Sequence, residues 1–516
     1  MNSKLLRAVI IKPSKYDKQG YVERFRWGFM PNSTLRLLLS MLQGEFEGCR
    51  IDATAIDEYV QTDLNYLKLL TKGDCPTLLL LVGVQSHQLQ RAIDLGLFAK
   101  QHGVEHCVLG GPHPMTCLTD ELEGKGISFS VSEAEVVLPT ILHDVVSGNT
   151  LQAIYGKEQR WKHELDSPAI IPPSARDLRR YVMSMEGLDA ARGCPKLCTF
   201  CSVPGIFGMN VRSQPVKTTI QSLVAAKKAG VKRIMFTSDN FNKNPLAREL
   251  LGAMIEAQIN IPFFVQCDAE IADEEKLVAL LAQAGCWQMF MGVESVDPEI
   301  LKAAKKFQND PKRYGEIVNL CRKYGIASHF SNIIGFEKQR EEDILEHYRT
   351  LYRLNPTIAS IYILTMIPGT TDYVTAMRRG IITEKNLDRF DATCLTWAHP
   401  LGKEKLEELL YKGYREFCSI RATIEKLTSH DARMTLSKCK NHLSYFLFTR
   451  WCTWKRMHPM SGGIGKVYLD NAANYADLRR KHLGFDLVPL PKKRPTPEVD
   501  KDFNRQSFKV QQVAIK

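Results

Sequence analysis

Three cysteines within eight residues offer the most chemistry in this chain. In Ala191–Gly205, ARGCPKLCTFCSVPG, Cys194, Cys198 and Cys201 stand at offsets 0, 4 and 7. That spacing alone would suit three core thiols on one apolar helix face. The flanks point elsewhere. Gly193 and Pro195 border the first cysteine and SVPGIFG follows the last, so the backbone reads as a loop wrapped around a group. Thiolates gathered by a loop suit zinc or an iron–sulfur cluster. A structural zinc site takes four ligands, and no second Cys or His pair lies nearby to complete one. A 4Fe-4S cluster held by three thiolates leaves one iron open for a substrate, which accounts for a set of three.

A second stretch, Val108–Thr116, reads VLGGPHPMT. Gly110 and Gly111 at the end of a buried strand allow a ligand close to the backbone. The plain alternative is a tight strand–helix turn with a surface histidine.

The elements that must position these residues are legible from periodicity. Leu6–Ile11, Arg50–Ile56, Leu78–Val84 and Val104–Leu109 read as strands. Leu35–Leu42, Gln88–Gln101 and Glu133–Val146 read as helices. The continuous apolar run Leu78–Val84 fits a strand buried on both faces. This alternation predicts an α/β unit over residues 1–150, with a parallel sheet that binds ligands at the carboxyl ends of its strands. Residues 151–185, polar and then proline-containing, read as a linker with one added strand. A second series follows over 186–390, with strands at Ile234–Thr237, Phe263–Cys267, Gln288–Gly292, Ala327–Ile334 and Ile361–Thr365. It is long enough for a partial or full barrel. Residues 391–516 read as a mostly helical extension ending in a basic, solvated tail.

The whole-chain numbers set bounds. A length of 516 residues predicts more than one domain. Lys and Arg total 69 against 57 Asp and Glu, and a net +12 spread over this length gives no basic stripe for nucleic acid. The opening MNSKLLRAVIIKPSKY has no apolar signal core, and Leu78–Val84 is too short to span a bilayer. The expectation is a cytoplasmic protein without a transmembrane segment, its fourteen cysteines free or metal-bound rather than paired.

CPKLCTFC resembles the CxxxCxxC signature of the radical S-adenosylmethionine (radical SAM) enzymes, including the aromatic Phe200 before the last cysteine. The resemblance implies that Cys194, Cys198 and Cys201 hold a 4Fe-4S cluster. The open iron of that cluster binds S-adenosylmethionine, and reduction cleaves it to a 5′-deoxyadenosyl radical. Further stretches match in order over about residues 186–380. Phe236–Asn240 (FTSDN) stands where the family holds the amino group of S-adenosylmethionine, through Ser238 and Asp239 here, although the usual form has two glycines and a glutamate. Met291–Ser295, with Glu294 and Ser295, resembles the strand touching ribose or carboxylate. Asn332–Phe336, with Gly335, resembles the strand beside adenine. Leu364–Tyr373 resembles the PGT turn after the sixth strand.

The Gly110-Gly111-Pro112-His113 turn resembles that of cobalamin-binding domains fused in front of radical SAM domains, and implies that these four residues contact cobalamin. Ser132–Glu135 stands at the family's Gly-Glu-Gly-Glu turn without its glycines. No DxHxxG motif is present, which implies cobalt without a lower histidine from that motif. His87 and His113 are not assigned as ligands.

The resemblance implies a Rossmann-like cobalamin-binding domain, a partial (β/α)6 barrel and a C-terminal extension that helps close the site. It implies methyl transfer to an unactivated carbon of an organic substrate, with flavodoxin or ferredoxin as external electron donor. Oxidative cyclisation or ring rearrangement on the same architecture, and a non-enzymatic cobalamin- or redox-sensing protein, are the alternatives. A methylthiotransferase fits less well, because Cys49, Cys75 and Cys107 lack the arrangement of its second cluster site. Tyr445–Trp454 (YFLFTRWCTW) reads as a core-packing helix that could also line a cavity or touch a membrane. Ser461–Lys466 only superficially suggests a phosphate loop. Cys394, Cys418, Cys439 and Cys452 read as core thiols, and Lys305-Lys306 as a solvated helix face.

Overall fold

The computed structural model describes residues 4–61, 64–71, 75–119, 122–158, 161, 163–428, 436–460, 462–467 and 490–491. The predicted basic tail lies outside the described residues, as does the Cys439 side chain.

The first sheet is built from β1 (Lys4–Lys12), β3 (Glu45–Phe46), β4 (Cys49–Asp57), β5 (Thr77–Leu81), β6 (His106–Gly110), β8 (Ser128–Ser130) and β9 (Ile154–Tyr155). Its order is β3-β4-β1-β5-β6-β8-β9, parallel except for the β3–β4 pair. Every residue of β5 is buried, as its unbroken apolar sequence requires at the centre of a sheet covered on both faces. The helix Leu89–Gln101 covers one face and Ala134–Ser147 the other. The added strand expected in the linker is β9, which pairs with β8 and carries the first sheet past residue 150.

The second sheet has six parallel strands in sequence order: β10 (Met185–Leu188), β13 (Arg233–Phe236), β14 (Phe263–Cys267), β15 (Cys286–Glu294), β16 (Ala327–Ile334) and β17 (Ile358–Ile363). Its end strands do not pair, so it is an open, partial barrel. Two-stranded ribbons complete the fold: β2 (Phe25–Gly28) with β18 (Gly463–Lys466), β7 (Cys117–Leu118) with β19 (Leu490–Pro491), and β11 (Ala191–Arg192) with β12 (Arg212–Ser213). Gly463–Lys466 is thus an antiparallel strand against β2, not a phosphate-binding loop. The first barrel strand ends at Leu188, beyond which the chain enters the β11–β12 ribbon.

Each sheet has a buried cluster of its own, and a third apolar cluster is shared between them. A single buried cluster contains Val9, Leu81 and Leu95 of the first unit together with Ile334, Ile363 and Trp397 of the second. Closeness also shows in the backbone. A Cβ placed on Gly369, in the PGT turn, would lie 2.4 Å from the Thr116 Cβ of the first unit. The helix Gly402–Phe417 lays Leu406, Leu409, Leu410, Tyr414 and Phe417 against the barrel. Cys394, Cys418 and Cys452 are buried, as expected of core thiols.

Candidate functional site

The three cysteines lie on the loop that leaves β11. Gly193 has φ +99°, and a Cβ there would sit 2.3 Å from the Asn210 carbonyl oxygen, so only glycine lets the loop begin its turn. The Gly193 N–H donates to Asp239 Oδ2 (3.0 Å) and the Thr199 N–H to the Ala304 carbonyl (3.0 Å). The Thr199 carbonyl in turn accepts from Asp372 (3.1 Å). Trp161, from the linker, donates its indole N–H to Ile206 just beyond (2.7 Å). The loop is held from four directions, with Cys198 buried and Cys194 and Cys201 half-buried.

The donor chemistry fits an iron–sulfur cluster. Asn240 Nδ2 donates to Cys194 Sγ (3.7 Å) and Gln308 Nε2 to Cys198 Sγ (3.6 Å), the kind of amide contact that tunes cluster sulfurs. Burial pushes the Cys201 thiol up to about 12 and raises Cys194, so iron binding must release protons here. Among the described residues, no three His, Cys, Asp or Glu side chains converge as around a single metal ion. Each thiolate of a cubane meets a different iron, so its ligands are not gathered at one point.

The predicted S-adenosylmethionine residues surround this loop with different roles. Ser238 Oγ accepts from the Ala190 and Ala191 N–H groups (3.2 and 2.9 Å), which anchors the entry to the loop. Burial pushes Asp239 up to about 7. Glu294 sits at a register shift between β15 and β16 with φ +62°, strained backbone of the kind found at ligand sites. Its Oε1 pairs with Lys306 Nζ at 2.8 Å, and Ser331 Oγ donates to Oε2 (3.4 Å). A Cβ on Gly292 would lie 2.4 Å from Glu294 Oε1, so this glycine makes room for the pair. Burial alone would lower the Lys306 pKa, but the Glu294 carboxylate outweighs it and holds it above the ordinary value. Lys306 is therefore buried beside the cluster loop, its ammonium 5.6 Å from the Phe200 ring centre, and not on a solvated face. Ser295 Oγ caps the following turn by accepting from Asp297 N–H (3.1 Å). The Gly335 N–H donates to Gln339 Oε1 (2.7 Å) at φ +81°.

A cavity of about 1410 Å³ opens where the carboxyl ends of the two sheets face each other. Lys12, Asp57, Gly83, Gly110, Gly111, Pro112 and Ser130 line it from the side of the first sheet, Asp189 and Thr237 from that of the second, and Arg192 from β11. Trp451 and His458 line it from the C-terminal extension. A Cβ on Gly111 (φ +138°) would lie 2.1 Å from the Val84 nitrogen, so this glycine is required by the packing of the turn on its own neighbour strand. His113 does not line the cavity. It is buried behind the turn, with Nδ1 3.0 Å from Ser86 Oγ. Ser238, Asp239, Glu294, Ser295 and Gly335 do not line it either, although Thr237, next to Ser238, does.

Sequence reading missed the residues that join the two halves. Arg192 pairs with Glu133 (3.1 Å), Glu135 (3.0 Å) and Asp189 (2.9 Å), and Arg212 and His163 also reach Glu133 (2.6 and 2.7 Å). Glu133 and Glu135 stand at the helix start where the glycines of the Gly-Glu-Gly-Glu turn are absent. Their carboxylates are spent on this network. Lys12, whose ammonium contacts Gly83 O and Gln88 Oε1 at 2.5 Å each, was also missed. Burial lowers its pKa to about 7. Only the apolar run before Lys12 could have flagged it, as a strand end at the sheet's ligand edge.

Comparison with known proteins places these observations. Residues 190–351 match the Radical SAM superfamily. The bacteriochlorophyllide d C-12(1)-methyltransferase of Chlorobaculum tepidum is 25% identical over 347 residues, covering 66% of this chain and 74% of that protein. Among solved structures, the radical SAM methyltransferase TsrM of Kitasatospora setae, with cobalamin and a 4Fe-4S cluster bound, has a TM-score of 0.57 at 16% identity, over 73% of this chain and 78% of that one. The cobalamin-dependent radical enzyme OxsB, with aqua-cobalamin and S-adenosylmethionine bound, has a TM-score of 0.58 at 14% identity, over 93% of this chain and 80% of that one. Those two likenesses show the fold.

Proposed function

We propose, from the premise that residues 190–351 form a radical SAM domain, that the chain is a cobalamin-dependent radical SAM methyltransferase acting on an unactivated carbon of an organic substrate. The observation that carries this reading is the cavity between the two strand-end edges, with the glycine turn of one sheet facing the approach to the cluster loop of the other. When bound, the 4Fe-4S cluster and S-adenosylmethionine supply hydrogen abstraction, and cobalamin carries the methyl group.

The chain's own residues bind, orient and exclude water. Cys194, Cys198 and Cys201 hold the cluster, with Asn240 and Gln308 directed at two of the sulfurs. Asp239 and the Glu294–Lys306 pair orient the S-adenosylmethionine beside it. Gly110, Gly111 and Pro112 form the floor for cobalamin, while Lys12 places its amine at the same edge. Arg192 fixes the two floors relative to each other. Cavity walls of mixed apolar and polar character keep a reactive intermediate from bulk water. The electron comes from an external donor of the flavodoxin or ferredoxin class, and the free thiols suit a reducing cytoplasm. No described helix is long and apolar enough to cross a membrane.

The test is anaerobic purification with cobalamin supplied, followed by iron and cobalt analysis and assay of 5′-deoxyadenosine release on reduction. Iron with cobalt and release of 5′-deoxyadenosine are expected. Iron without cobalt would remove the methyl carrier and leave cyclisation or rearrangement.

A further inference from the structure

From Leu443 to Trp454 the helix Leu436–Trp454 carries apolar residues on opposite sides. Thr449, Cys452 and Thr453 turn inward, and Tyr445 bonds to the Ala359 carbonyl of the barrel (2.7 Å). The opposite stripe holds Leu443, Leu447, Arg450 and Trp454, all exposed and within one helix face. Leu443 is 48%, Leu447 57% and Trp454 74% exposed. A solvated helix would place polar groups there.

Neighbouring elements extend the patch. Phe29, just after β2, packs edge-on against Phe448 at 5.0 Å between ring centres. Trp27 on β2, Met30 and Met460 are also exposed. Met30 and Met460 line the cavity as well, so the patch borders its mouth. Of the charged side chains described beside it, Arg26, Arg450, Lys455 and Arg456 are exposed cations, while Lys466 is paired with Asp17 and Glu23. From 432 to 469 the sequence has seven Lys or Arg and no Asp or Glu. Arg26 lies over Trp27 (4.6 Å) and Lys455 over Trp454 (4.1 Å). Exposed indoles and aliphatic side chains beside the cations Arg26, Arg450, Lys455 and Arg456 match the chemistry of an anionic lipid interface.

We propose that this face docks the protein peripherally on an anionic phospholipid surface and turns the cavity mouth towards it. Leu443, Leu447 and Trp454 enter the headgroup–acyl boundary, while Arg450 and Lys455 meet lipid phosphates. The inference goes beyond the proposed reaction and is read without turnover.

The test is flotation of the full chain with phosphatidylcholine vesicles, with and without phosphatidylglycerol, at low and high salt. Capture by the phosphatidylglycerol vesicles, weakened by salt, is expected. Leu447→Ser with Trp454→Ser, and separately Arg450→Glu, should each weaken capture about tenfold. None of these side chains lines the cavity or touches the cluster loop, so iron content and 5′-deoxyadenosine release should persist and certify folding. Absence of capture, capture unchanged in both variants, or a concentration-dependent dimer that the variants dissolve would each overturn the proposal. The dimer would assign the face to a second copy of the chain. Loss of cobalt or of 5′-deoxyadenosine release in the unaltered chain would sink the methyltransferase reading while leaving the docking result intact.

Discussion

Glu186, on β10, is fully buried, and no side chain hydrogen-bonds or ion-pairs with its carboxyl group. Burial pushes its pKa up from 4.5 to about 8. Between those values the folded chain holds a proton that the unfolded chain has released, so stability falls as pH rises through that window. Glu186→Gln should flatten this fall, read as denaturant midpoints at the two ends of the window. Cys198→Ala removes one ligand from the loop and should abolish both iron retention and 5′-deoxyadenosine release, checked by metal analysis and product chromatography. Lys306→Met leaves the Glu294 carboxylate buried without its cation. A loss of roughly 3–5 kcal/mol in unfolding free energy is expected, with Lys306→Arg retaining most of it.

At the scale of elements, two turns and one arginine set the site. The turn after β6 is fitted against β5, and Gly111→Ala places a methyl against the Val84 backbone in a conformation that costs about 1–3 kcal/mol even without the clash. The variant should lose cobalt while keeping iron, because the cluster loop hangs on other contacts. Arg192 joins β11 to the start of the helix Ala134–Ser147. Arg192→Met should lower the melting temperature and also loosen iron binding. The second effect separates loss of loop positioning from general destabilisation. The longer strands, β1, β4, β5 and β6 of the first sheet and β13 to β17 of the second, were legible from apolar and alternating runs between turn residues, while the short β3 and β8 were not. The β11–β12 ribbon was not legible: two-residue pairings carry no periodicity.

For the whole molecule, one of the three buried clusters spans both sheets, so each unit needs the other to cover one of its apolar faces. A fragment ending after β9 should aggregate or remain unfolded, seen by gel filtration and circular dichroism, whereas the full chain unfolds in one main transition.

The sequence by itself determined the cluster motif, the order of strands and helices, and the glycine turn, because each is a local pattern of residue type and spacing. It could not tell a buried Lys306 from a solvated one, since that depends on Glu294 twelve residues away arriving on a bulged strand. Nor could it show that Glu133 and Glu135 serve Arg192 rather than a ligand, or that His113 turns away from the cavity. Those outcomes depend on which surfaces meet once two sheets dock edge to edge, and pairings across 57 to 79 residues leave no trace in local pattern.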